Sequence, residues 1–135
     1  MMSLPNVAAV ALGSALGGVA RYGVGEFAVA LLGRVFPWGT LAVNVLGSLA
    51  IGVAWVVLAE RTGNAEVWRH FWVVGVLGGF TTFSSFSLET LWLAEQFGPL
   101  RAGFYVLASV SVCLTGAWTG LAWGRYMLGG ISSGG

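Results

Sequence analysis

Four apolar stretches, each long enough to cross a bilayer as a helix, leave this chain little room for any other fold. They run over about residues 4–32, 38–60, 68–97 and 101–127, and a hydrocarbon core about 30 Å thick needs roughly 20 helical residues. Between them stand turn signals: "GRVFPWG" with Pro37, the polar "ERTGNAE", and "FGP", where Gly98 precedes Pro99. Trp38, Trp68, Trp92 and Tyr126 fall near the ends of the stretches, where amphipathic rings favour the headgroup level. Composition agrees. Of 135 residues, 57% are hydrophobic and 8% charged, too few polar groups to cover a water-soluble domain of this size. The expected fold class is therefore an all-α membrane protein with four transmembrane helices. Residues 1–128 are expected to form one unit, and 129–135, "GGISSGG", a flexible C-terminal tail.

Charge and chemistry narrow the function. All six basic residues are arginines and all five acidic ones are glutamates, which makes no basic patch for nucleic acid. Cys113 and His70 are each the sole residue of their type, so neither a disulfide framework nor a thiolate or imidazole metal site is available. No nucleophile–base pair emerges, so an enzyme is not expected. The leading "MMSLPN" lacks the basic region of a signal peptide, and the first apolar stretch is expected to remain in the protein.

With the N-terminus in the cytoplasm, Arg61, Arg69 and Arg125 lie inside, Arg34 and Arg101 outside, and Arg21 within the first span. The positive-inside rule then gives almost no preference. Either the few charges carry no signal, or the chain inserts in both directions and pairs as an antiparallel dimer. Small-residue patterns for helix association are present at Gly13/Gly17, Gly75/Gly79 and Gly116/Gly120/Gly124. They serve packing within a subunit as well as between subunits.

A few polar residues inside the spans require an explanation. Asn44 needs hydrogen-bond partners in hydrocarbon; it is either an interhelical brace or a donor on a polar path. Arg21 either anchors helices by capping carbonyls or draws an anion into a vestibule. Tyr105, Ser109 and Cys113 recur every four residues and share a helix face. The densest polar run is "GGFTTFSSFSLET", residues 78–90. Two glycines and two β-branched residues make a weak point in a helix, and a helix broken at membrane depth is tolerated where its freed backbone lines a cavity or binds an ion. Phe83 and Phe86, three apart, share a face. They are either a packing pair or a pair of electropositive ring edges offered to an anion.

"GGVARY" (17–22), "GTLAVNVLGSLAIG" (39–52) and "GVLGGFTTFSSFSLE" (75–89), in this order and with four spans, resemble the Fluc/CrcB fluoride channel family. The resemblance implies a passive, fluoride-selective channel in the inner cell membrane that exports cytoplasmic fluoride and confers fluoride resistance. It implies an antiparallel, dual-topology homodimer with two pores and a third helix broken mid-membrane. It also implies a structural sodium ion at the dimer centre, held by the backbone carbonyls of Gly78 and Thr81. Asn44, Phe83, Phe86, Thr40, Tyr105 and Ser109 map to the fluoride pore. Arg21 maps to a vestibule or structural charge, and Glu89 to a position near a pore end. Cys113 stands where the family pattern would place a further hydroxyl. The competing reading is a small dual-topology, proton-coupled multidrug exporter, for which Glu26 is the available carboxylate.

Overall fold

The computed structural model describes residues 2–59 and 65–132, and they are helical apart from short connections. Helix α1, Leu4–Leu32, begins at Ser3, whose side chain accepts from the Asn6 amide, with Pro5 in the first turn; a hydroxyl cap followed by proline satisfies or removes amides that have no partner inside the helix. It ends at Gly33, whose φ of 80° is one that only glycine adopts without steric cost. Helix α2, Trp38–Ala59, follows after a five-residue turn at 33–37. The third span is built in pieces. Helix α3, residues 65–80, starts as an α-helix over Ala65–Arg69, widens to π geometry over His70–Leu77 and closes with one α turn, Gly78–Phe80. Thr81 and Thr82 are extended, and helix α4 runs over Phe83–Phe97. Gly98, at φ 91°, turns the chain into helix α5, Pro99–Ser132. The four segments long and apolar enough to span are Leu4–Leu32, Trp38–Ala59, Ala65–Phe97 and Pro99–Gly129.

Several boundaries differ from those read in the sequence. The third span starts at Ala65, three residues before Trp68, because Ala65 and Glu66, read with the polar break before them, already belong to the helix. The last helix continues through residues 129–132, over the first part of the segment read as a tail. Residues 133–135, with Glu60 and Arg61, lie outside the described residues. Within the weak point read over Gly78, Gly79, Thr81 and Thr82, the glycines stay helical and the departure from helix falls on the two threonines. The reason is steric: a Cβ on Gly79 would stand 2.7 Å from the Ser14 carbonyl oxygen, so glycine here admits the backbone of α1.

The same principle organises the bundle. Gly13 and Gly17 of α1 lie against the backbone of Phe71, Gly75 and Val76, and Gly75 in turn faces Gly13. Two small-residue motifs thus interlock, α1 against α3. On the other side, Gly120 and Gly124 of α5 meet Leu49 and Val53 of α2, and Gly52 of α2 meets Ala117 and Leu121 of α5. These two pairings are the most extensive in the molecule. The compact core sits where α4 meets α5: Phe86, Leu93, Ala102 and Tyr105, with Phe36 and Leu41 packed onto it from the α1–α2 end. Large apolar side chains elsewhere, such as Leu12, Leu16, Phe27, Leu107 and Trp118, point outward, as expected where the solvent is lipid and burial offers helices no hydrophobic drive.

Candidate functional site

The extended pair at Thr81–Thr82 releases backbone groups that must be paired, since unsatisfied amides and carbonyls away from water cost several kcal/mol. Asn44, from the middle of α2, takes both sides of Thr82: the Thr82 amide donates to Asn44 Oδ1 at 2.8 Å, and Asn44 Nδ2 donates to the Thr82 carbonyl at 3.0 Å. One side-chain amide therefore replaces the peptide partner that a continuous helix would have provided. Thr82 also caps α4, its Oγ1 accepting from the Ser85 amide at 3.2 Å. Its hydroxyl bonds Ser85 Oγ at 3.1 Å and lies 3.3 Å from Ser84 Oγ. Thr81 folds back on α3, its amide and hydroxyl both donating to the Leu77 carbonyl at 3.0 and 2.9 Å. Arg21 reaches across from α1, Nη1 donating to the Thr81 carbonyl at 3.5 Å. Gly47, below Asn44 on α2, has no side chain because the Thr81 methyl occupies that space.

Beside this junction opens a cleft of about 350 Å³. Asn44, Gly78, Thr81, Thr82, Phe83, Phe86, Ser109 and Cys113 line it together with Gly47, Ser48, Ile51, Val73, Leu77 and Val110. None of these lining residues carries a charge. The two phenyl rings lie 5.4 Å apart at 50° but differ in setting. Phe86 is 9% exposed and packed against Tyr105 at 5.3 Å, whereas Phe83 is 77% exposed. Ser109 is 5% exposed, and its buried Oγ makes no hydrogen bond of good geometry among the described residues, although the Tyr105 side chain lies near it. A buried hydroxyl without a partner is a donor waiting for one.

Three of the residues singled out in the sequence form a second cluster towards the α1–α2 end. Glu89 accepts from Thr40 Oγ1 at 2.7 Å and from the Tyr105 hydroxyl at 3.0 Å. Thr40 and Glu89 line an end pocket of about 360 Å³ with Glu26, Arg34 and Trp92. Tyr105, in contact with Phe86 and with Glu89, connects the two regions. The structure thus gathers Asn44, Gly78, Thr81, Phe83, Phe86 and Ser109 around one cleft. It places Thr40, Tyr105 and Glu89 in an adjoining polar cluster and brings Arg21 to the edge of the junction.

Thr82, which the sequence marks only as one of two β-branched residues after the glycine pair, carries the bond pair with Asn44 and the α4 cap. The further signal is a threonine at the start of a helical run, a recognisable N-cap position. Asn6, which no pattern in the sequence marks, donates from Nδ2 to Glu66 at 2.8 Å and ties the start of α1 to the start of α3. For a metal, the described residues contain no group of three or more His, Cys, Asp or Glu side chains. The Thr82 amide, which would close a helical bond to the Gly78 carbonyl, is engaged by Asn44. Neutral carbonyl oxygens of this kind suit a hard monovalent cation.

Comparison with known proteins places the chain. The family described as "CrcB-like protein, Camphor Resistance (CrcB)" matches residues 8–121. A protein named "Fluoride-specific ion channel FluC" from Coxiella burnetii (strain Dugway 5J108-111) is 47% identical over 123 residues, 90% of this chain and 99% of the relative. Proteins of the same name from Agrobacterium fabrum and Paramagnetospirillum magneticum are 49% and 48% identical over 120 and 116 residues. They cover 89% and 84% of this chain and 96% and 90% of their own lengths. Matched over most of its length by the family and by these relatives, with its unbroken order of four spanning segments, the chain belongs to the CrcB family.

Proposed function

We propose that this protein is a multi-pass membrane channel that conducts fluoride passively out of the cytoplasm across the inner cell membrane. As a member of a family whose relatives are named as ion channels, it is not an enzyme. The observation that carries the reading to this chain is the uncharged cleft: an amide, two phenyl rings and an unpartnered buried hydroxyl converge without a fixed charge. Fluoride is small and strongly hydrated, so a pore must supply donors at close range in place of water. It must also bind weakly enough to release the ion. Hydroxyl hydrogens and phenyl edges meet both demands, whereas an arginine in the cleft would hold the ion. Asn44 acts in this reading chiefly through Thr82, because its amide is already committed to that backbone. Thr40, Glu89 and Tyr105 guard the pore end, and Arg21 sets the potential beside the junction.

The working unit in this proposal is an antiparallel homodimer with two pores and a third helix interrupted mid-membrane. Two observations support it. The arginines divide almost evenly between the two ends, and Phe83, a large apolar residue beside the cleft, is open outside its own subunit. A second copy would cover it. A structural sodium ion at the dimer centre would be held by the Gly78 and Thr81 carbonyls of each subunit. Once bound, it would supply fixed positive potential and hold the two copies together.

The test is efflux from reconstituted liposomes. Fluoride-selective flux, with chloride excluded and no coupled proton movement, is the expected result. Exchange of a cationic drug for protons would instead support the exporter. That reading needs Glu26, which lines the end pocket and not the cleft.

A further inference from the structure

We propose that Cys113 is a modification site within the permeation path, where a small thiol-directed reagent forms an adduct that closes the pore. The inference rests on the channel reading above and adds to it a chemistry that hydroxyls on this helix face would lack. Cys113 is the only cysteine of the chain. It is half-buried and stands four residues after Ser109 on α5, hence on the same face. Both line the cleft. The second indication that this wall meets a ligand is Ser109 itself, whose buried Oγ makes no hydrogen bond of good geometry among the described residues, although the Tyr105 side chain lies near it. A buried hydroxyl left open in this way offers a place for an ion or a water.

A cleft of about 350 Å³ is large enough and polar enough to hold water. The attacking species in thiol chemistry is the thiolate, so a wet cleft allows reaction where a lipid-facing thiol would stay inert. With methyl methanethiolsulfonate the balance is simple. The Cys113 sulfur attacks the thiol sulfur of the reagent, a new S–S bond forms and the S–SO2 bond breaks. Methanesulfinate then leaves with the electron pair, and the thiol proton goes to water. The product carries an apolar methylthio group beside Ser109, where the path needs a hydrogen-bond donor. A dehydrated anion has no substitute for that donor, so conduction stops.

The experiment uses the full chain in liposomes and a reagent that is small, neutral and membrane-permeant, so that it reaches the cleft from either side. Treated protein is expected to carry one methylthio adduct by intact mass and to lose fluoride efflux by about tenfold or more. Dithiothreitol should restore both. Cys113→Ser and Cys113→Ala should gain no mass on treatment, and the flux of each, measured against its own untreated level, should not change. Complete adduct formation with undiminished flux would overturn the proposal, as would absence of an adduct under conditions that label the unfolded chain. Absence of fluoride flux from the untreated protein is a different result: it removes the channel reading, and this inference with it.

Discussion

Asn44 braces the backbone where α3 gives way to α4, and in the proposed channel it would serve the pore through that brace. Its two hydrogen bonds to Thr82 replace peptide partners that the helix break removed. Asn44→Ala leaves both Thr82 groups unpaired, at about 1–3 kcal/mol for each buried polar group. Asn44→Ala should therefore unfold at lower denaturant in detergent and lose most fluoride efflux together. Full stability with lost flux would place Asn44 in direct contact with the ion. The two phenylalanines separate differently. Phe86→Ile removes a ring packed against Tyr105 in the core and should cost about 1 kcal/mol in stability as well as flux. Phe83→Ile changes a largely exposed ring whose aromatic neighbour within the chain is Phe86. It should leave subunit stability near that of the parent while reducing efflux. Unchanged flux through both variants would show that the rings do not face the ion.

At the scale of helices, close approach depends on glycine at a few positions. A Cβ on Gly17 would run into the Val76 carbonyl oxygen, and one on Gly52 into that of Ala117; both obstacles are backbone, which cannot turn aside. Gly17→Ala is expected to destabilise the α1–α3 pair by about 1–3 kcal/mol. Gly103→Ala, with open space around it, should be neutral or gain up to about 1 kcal/mol from helix propensity. Thermal unfolding of the two variants in one detergent measures the contrast, and equal behaviour would refute the packing account. The motifs themselves were legible in the sequence, but their partners were not. Spacing says that a helix presents a flat glycine face; it does not say which helix will meet it. In the fold, the α1 and α3 motifs meet each other and the α5 motif meets α2. None of these three faces needs a second copy to explain it.

For the whole molecule, the proposed dual topology predicts that a tag on the C-terminus is accessible from both faces of the membrane. Accessibility from one face alone would sink the antiparallel arrangement. In sodium-free medium the dimer should weaken and efflux fall, since two carbonyl pairs would then face each other without a cation. An unaltered dimer with full conduction would remove the ion from the account.

What the sequence determined by itself was the solvent, the number of spans and the density of polar groups around residues 78–90. Each follows from local composition summed over a window: hydrocarbon penalises unpaired backbone so heavily that a spanning chain is helical or a closed barrel, and apolar runs of this length suit helices. The candidate cleft was legible in part, because polar residues in a lipid-facing chain stand out one by one. Pairing, by contrast, came from the three-dimensional packing alone. Helix geometry departs at Thr81–Thr82 and not at the glycines, because α1 needs the glycine backbone for contact and Asn44 offers its amide one turn later. Glu89, unexplained along the chain, finds Thr40 from forty-nine residues away and Tyr105 from the next helix. Such partners are far apart in sequence and meet only when two helices fix each other's rotation, and no periodicity along one helix encodes the angle at which another will face it.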